Sequence, residues 1–225
     1  MRQIFCLILC VICLLNACSS PPAPPLPAIN NNTIERPRDP WVLRSVLDDQ
    51  PRMVTVVLHD EMWLAYDAIH SGLYKAWKGG VDFDGPVYTT RHGVQPTSLG
   101  DEIYLSGKLS ETAWRVSRGG QMEVPTVQFK GYRFKNSRVS FKYELSLLTG
   151  NVIYIEESPE FIRNNQNQPG LERIFTTSRV PEGTTVSLKL KSKGEQYDTD
   201  GNIENDLLTL NANSTTSLSI YFDPL

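Results

Sequence analysis

The stretch GLYKAWKGGVDFDG, Gly72 to Gly85, sets Tyr74 and Trp77 close to Asp82 and Asp84. An indole or phenol ring offers a flat apolar face with a polar edge. Sugar rings have C–H-rich faces that stack on such surfaces, and carboxylates accept hydrogen bonds from sugar hydroxyls. Trp63, Tyr66, Tyr74, Trp77 and Phe83 all fall within 21 residues. They can equally fill the interior of a β-protein. Strand parity places Leu73, Lys75 and Trp77 on one face, with Tyr74 and Ala76 on the other. A lysine beside Trp77 makes that indole the ring most expected to be exposed. Asp82 and Asp84 flank Phe83 and would share a face on a strand. Trp77, Tyr74, Asp82 and Asp84 are therefore the candidate ligand-binding residues.

The remaining candidates for chemistry are less specific. The histidines are His59, His70 and His92. His59, Asp60 and Glu61 offer three ligand types in a row. A zinc site needs its donors to converge, whereas successive strand residues point to opposite faces, so a polar hairpin turn is the plainer reading. No metal site is assigned. Paired carboxylates can hydrolyse a glycosidic bond when their separation is right. Asp82 with Asp84 and Glu156 with Glu157 are nominees, but neither pair has an accompanying motif. A nucleophile elbow and a phosphate-binding loop are both missing. No catalytic residue and no cofactor is assigned. In DTDGN, Asp198 to Asn202, glycine falls at the fourth position where a calcium loop wants it at the sixth, so a glycine-containing hairpin turn is expected.

The elements that would position these groups read as nearly all β. In RVSFKYELSLL, Val139, Phe141, Tyr143, Leu145 and Leu147 alternate with polar residues, the mark of a half-buried strand. LTGN follows, then VIYIEE, so a hairpin over Val139–Glu157 is predicted, with Gly150 supplying the turn. MVTVVLH and MWLAYD form a second hairpin around the His59–Glu61 turn. PTVQFKGYRF, ERIFTTS, TTVSLKLKS, LLTLNA and TSLSIYFDP continue the pattern, giving about twelve strands in all. WVLRSVLDD, Trp41 to Asp49, is the best helical candidate, expected as a single short helix or an irregular lead-in. The fold class is all-β: one large antiparallel β-sandwich, of supersandwich-like size, with at most one or two short helices. The absence of a fixed repeat argues against a propeller.

Composition narrows the classes. With 22 Lys+Arg against 25 Asp+Glu the formal charge is −3. No basic patch or stripe is evident, which argues against a nucleic-acid partner. The N-terminus, MRQIFCLILCVICLLNACSS, has Arg2 before an apolar run over Ile4–Leu15. That is the length of a signal peptide and shorter than a bilayer span. LNAC, Leu15 to Cys18, resembles the lipobox of bacterial lipoproteins. The resemblance implies cleavage before Cys18 and lipidation of that residue, a membrane partner through the lipid, and a cell-envelope location. Ser19 in the next position points to the outer membrane. The plain alternative is a secretory signal that happens to contain cysteine. Residues 18–39, rich in Pro, Ser and Asn, read as a tether. The expected organisation is a signal peptide over 1–17, a tether over 18–39 and one sandwich domain over 40–225. Cys6, Cys10, Cys13 and Cys18 all lie in the signal region, so the domain has no disulfide and no cysteine-ligated metal or haem.

Two blocks carry a further resemblance. The first runs from Pro40 to Gly100. The second comprises VQFKGYRF, VSFKYEL and the later GLERIFTT. Their order and wording resemble the β-rich N-terminal region of large secreted bacterial proteins that go on to cytochrome c and sugar-dehydrogenase-like domains. The second block is also loosely similar to galactose-mutarotase-like sandwiches. This chain lacks the haem-attachment motif and the length for a dehydrogenase propeller. What the resemblance implies is a sandwich and an association with envelope carbohydrate metabolism. The expected function is a non-enzymatic carbohydrate-binding or accessory module, its partner a carbohydrate or a periplasmic oxidoreductase. The alternatives are a sugar-acting epimerase or lyase on a mutarotase-like sandwich, and a structural lipoprotein.

Overall fold

The computed structural model describes residues 40–85, 88, 93–106, 110–190 and 196–222. The signal region, Cys18, the tether and His92 lie outside the described residues. Sixteen strands are present and no helix occurs among the described residues. β1 (Trp41–Leu47), β2 (Gln50–His59), β3 (Met62–Asp67), β4 (Gly72–Asp82) and β5 (Thr97–Leu105) form a five-stranded meander. β6 (Trp114–Arg118) and β7 (Gln121–Glu123) belong to a second five-stranded sheet. β8 (Thr126–Lys135), β9 (Arg138–Ser146), β10 (Val152–Arg163) and β11 (Pro169–Ser178) build most of a six-stranded sheet. The chain then alternates between the last two sheets with β12 (Thr184–Lys189), β13 (Gln196–Thr199), β14 (Asn202–Glu204), β15 (Leu207–Leu210) and β16 (Thr215–Tyr221). The six-stranded order is β13-β16-β11-β10-β9-β8, and the second five-stranded order is β14-β15-β12-β6-β7. The protein is an all-β sandwich of antiparallel sheets.

All three sheets share one core. The ring centroids of Tyr66, from the meander, and Phe141, from the six-stranded sheet, are 4.2 Å apart. Trp114 reaches in from the second five-stranded sheet, its centroid 5.9 Å from those of Tyr143 and Phe175. Its Nε1 donates to the Ser71 carbonyl at 3.0 Å, joining that sheet to the meander. Alternation explains the packing: Val139, Phe141, Tyr143 and Leu145 of β9 are buried while Lys142 between them is exposed. The predicted hairpin is present, with Gly150 at φ +83° in its turn.

The meander curls until its first and last strands meet. Past β1, Asp48 N–H donates to the Pro96 carbonyl at 3.0 Å, and Ser98 N–H of β5 donates to Asp48 Oδ1 at 2.7 Å. The concave side encloses a second buried cluster of Leu47, Met53, Trp63, Ala65, Tyr74 and Trp77. Gly79 and Gly100 face each other in the β4–β5 pair. A Cβ on Gly79 would stand 2.0 Å from the Leu99 carbonyl oxygen, so only glycine fits there.

Two expectations are corrected. Trp41–Leu47 is a strand, not a helix, paired from Trp41↔Val57 to Leu47↔Gln50. Its apolar residues are satisfied by the curled sheet, and tertiary pairing overrides the local helical pattern. Asp200 and Gly201 do not close a hairpin either. They carry the chain from β13 in the six-stranded sheet to β14 in another.

Candidate functional site

The four residues predicted to bind a ligand separate in the structure. Trp77 is fully buried, at 0% exposure, and the expectation of an exposed ring is overturned. Tyr74 is buried at 9%. The physical reasons are the curl of the meander, which encloses the face that Lys75 and Trp77 share, and a β-bulge that turns Tyr74 onto it. Ala65 pairs with Lys75 and Tyr66 with Leu73, leaving Tyr74 as the extra residue in β4. Strict alternation therefore fails. Leu73 and Ala76 enter the main core, while Tyr74 and Trp77 both join the enclosed cluster of the meander. Trp77 Nε1 is satisfied internally by the Gly80 carbonyl at 2.8 Å. Asp82 and Asp84 are exposed, and Asp82 Oδ1 accepts from the Asp84 N–H at 3.0 Å.

Lys75, the residue that suggested an open face, has its own partners. Its Nζ donates to Ser98 Oγ at 2.7 Å, with Asp48 Oδ2 at 3.6 Å and Glu102 Oε2 at 3.5 Å. Ser98 Oγ donates in turn to Asp48 Oδ2 at 2.9 Å. This charged clasp joins the end of β1 to β5. With two carboxylates beside the ammonium, the Lys75–Ser98 contact is part of this closure. Burial, then the Asp48 and Glu102 carboxylates, push the Tyr74 phenol up to about 12.

His59, Asp60 and Glu61 form the expected turn and do not converge. The His59 ring stacks on Phe161 at 3.9 Å, and Glu61 pairs with Arg163. Together they tie the β2–β3 turn to β10. His70 is engaged by Asp67, with Nδ1 to Oδ2 at 2.6 Å.

The open face of the six-stranded sheet is the first concave feature. Tyr154 lies half-buried in β10, with Glu144 of β9 and Ser178 of β11 directly across from it. In the next outward-facing row, Glu156 stands between Lys142 and Thr176. A groove of about 500 Å³ runs over these side chains, bounded by Lys130 and Arg179. Lys130 Nζ lies 3.1 Å from Glu144 Oε2, and the Arg179 guanidinium lies 4.8 Å from the Tyr154 ring centroid. Burial pushes the Glu156 carboxyl up, but hydrogen bonds from Ser140 and Arg133 outweigh it and hold the group below its ordinary range. Its hydrogen bonds come from Ser140 Oγ at 2.8 Å and Arg133 Nε at 3.1 Å.

A buried polar network lies on the other face of the same sheet. Glu157 Oε1 accepts from Arg173 Nε at 2.7 Å and from the Tyr66 hydroxyl at 2.8 Å, and Oε2 accepts from the Tyr143 hydroxyl at 3.3 Å. The Glu157 and Arg173 side chains are 1% and 5% exposed. Burial alone would weaken Arg173's hold on its proton, and the Glu157 carboxylate more than reverses that. Arg173 also lines a cavity of about 330 Å³ where the three sheets meet. Residue typing alone passed over this network, although a signal for it exists. Ile153, Ile155 and Glu157 share a strand face, as do Leu171, Arg173 and Phe175. A carboxylate and a guanidinium set into apolar stripes on neighbouring strands must find each other.

This network has a pH consequence. Burial, then the nearby Glu157 charge, raises the Tyr66 and Tyr143 phenols well above their ordinary range. A group raised on folding contributes stability that is complete below its unfolded pKa and lost as pH climbs toward the folded one. Urea midpoints are therefore expected to be flat from neutral pH to about pH 10 and to fall beyond it. The fall should be shallower in Tyr66→Phe, which has one raised phenol fewer.

Comparison with known proteins gives no match to a family model, to a curated protein or to a solved structure. The class defined by the coordinates is thus an antiparallel β-sandwich with an open polar groove on one sheet and a cavity at the junction of three.

Proposed function

We propose that this chain is a lipid-anchored envelope protein, tethered through Cys18, that binds carbohydrate without transforming it. The binding face is the outer groove of the six-stranded sheet. The observation that carries the reading is Tyr154 with its cross-strand neighbours Glu144 and Ser178. A half-buried ring supplies an apolar platform. Glu144, Glu156, Lys142, Thr176 and Ser178 surround it with acceptors and donors suited to sugar hydroxyls. A sugar-acting enzyme would want a carboxyl raised toward neutrality as general acid. Glu156, in this groove, is held in the opposite direction by Ser140 and Arg133, which suits it as an acceptor for a sugar hydroxyl. The resemblance of the two sequence blocks adds an accessory role beside a periplasmic sugar-oxidising enzyme.

Calorimetric titration of a glycan panel tests this reading. Tyr154→Ala is expected to weaken the best-bound glycan about thirtyfold, the loss of an anchoring aromatic worth on the order of 2 kcal/mol. Equal affinities for wild type and variant, or no glycan bound by either, would remove the groove from consideration.

A further inference from the structure

Arg173 is 4% exposed. Nε donates to Glu157, and the Tyr66 hydroxyl also lies beside the guanidinium. A guanidinium carries five N–H donors in a rigid fork. Four of them thus belong to the two terminal nitrogens of a residue lining the 330 Å³ cavity. N–H donors that line a cavity suit an oxygen-rich occupant.

The walls specify the occupant further. Leu73 and Tyr104 come from the meander and Leu188 from β12, giving an apolar side. Ser110 and Thr112 contribute hydroxyls near the exposed rim. Arg115 is paired with Glu111 at 2.5 Å, and Arg173 is balanced by Glu157 at 2.7 Å. Lys189 also lines the cavity and forms no ion pair among the described residues, so among those residues the lining carries one cation in excess. A planar fork, an uncompensated cation, an apolar wall and two hydroxyls together match a small organic carboxylate.

We propose that this junction cavity binds a small organic carboxylate, its oxygens accepting from the two terminal nitrogens of Arg173. The site stands on different observations from the glycan groove. Arg173 faces the interior of the six-stranded sheet, whereas Tyr154 faces its outside. The volume suits a molecule of a few carbons, not an oligosaccharide.

The test follows the side-chain N–H signals of Arg173 by NMR on the folded protein while sodium acetate, sodium gluconate or inorganic phosphate is added. Both carboxylates are expected to produce a saturable shift of the Arg173 signals, gluconate binding more tightly because its hydroxylated body reaches Ser110 and Thr112. Ser110→Trp places a bulky ring at the exposed rim of the cavity. It is expected to weaken gluconate about tenfold or more while leaving the thermal midpoint unchanged. Absence of a saturable shift with both carboxylates would overturn the site. So would shifts that persist unaltered in Ser110→Trp, and phosphate binding as tightly as gluconate would overturn the ligand class.

Discussion

Glu157→Gln is expected to lower the unfolding free energy by about 3–5 kcal/mol, measured by urea denaturation near neutral pH. The substitution keeps shape and removes charge. It leaves the Arg173 guanidinium in the core without its counter-ion and weakens the acceptor shared by Tyr66 and Tyr143. Three strands from two sheets converge on that one carboxylate. The double variant Glu157→Leu with Arg173→Met is expected to recover part of the loss, because no lone charge stays buried. Recovery should be incomplete, since two phenol hydroxyls then lack their acceptor, at about 1–3 kcal/mol for each buried group left unsatisfied. A Glu157→Gln variant as stable as wild type would show that the pair contributes nothing to the core.

Trp77→Ala is expected to cost a similar amount, about 3–5 kcal/mol, by opening a void among Met53, Trp63 and Tyr74. The Trp77 ring packs 5.9 Å from Trp63, centroid to centroid, inside the curled meander. Its loss should shift the urea midpoint while leaving glycan affinity unchanged wherever the variant is still folded. This outcome separates a core tryptophan from a stacking platform. A stable variant with lost glycan binding would return the site to the Gly72–Gly85 stretch.

How far the sequence foretold these features depends on where period-two alternation holds. β9 and β10 alternate without interruption, and their hairpin was readable residue by residue. β4 contains a bulge at Tyr74, and the extra residue turns Tyr74 onto the face that Lys75 and Trp77 share; that face, expected to be open, is enclosed by the curl of the meander. Lys75 pointed the wrong way for a different reason. Its partners Asp48, Ser98 and Glu102 are distant in sequence, and only the curl of the meander brings them to the ammonium. Trp41–Leu47 mixes apolar and polar residues in a way that suits a short helix or an edge strand, and the neighbouring β2 decides between them. Tyr154 drew no attention because a single ring in an alternating strand has no local signature. Its neighbours Glu144 and Ser178 come from other strands, and register alone makes the groove.

The most direct test of the central claim is chemical-shift mapping of the protein with the best-bound member of the glycan panel. The account predicts perturbations centred on Lys142, Glu144, Tyr154, Thr176 and Ser178, with Tyr74 and Trp77 unmoved. Perturbations centred instead on Asp82 and Asp84, or none at saturating glycan, would contradict it.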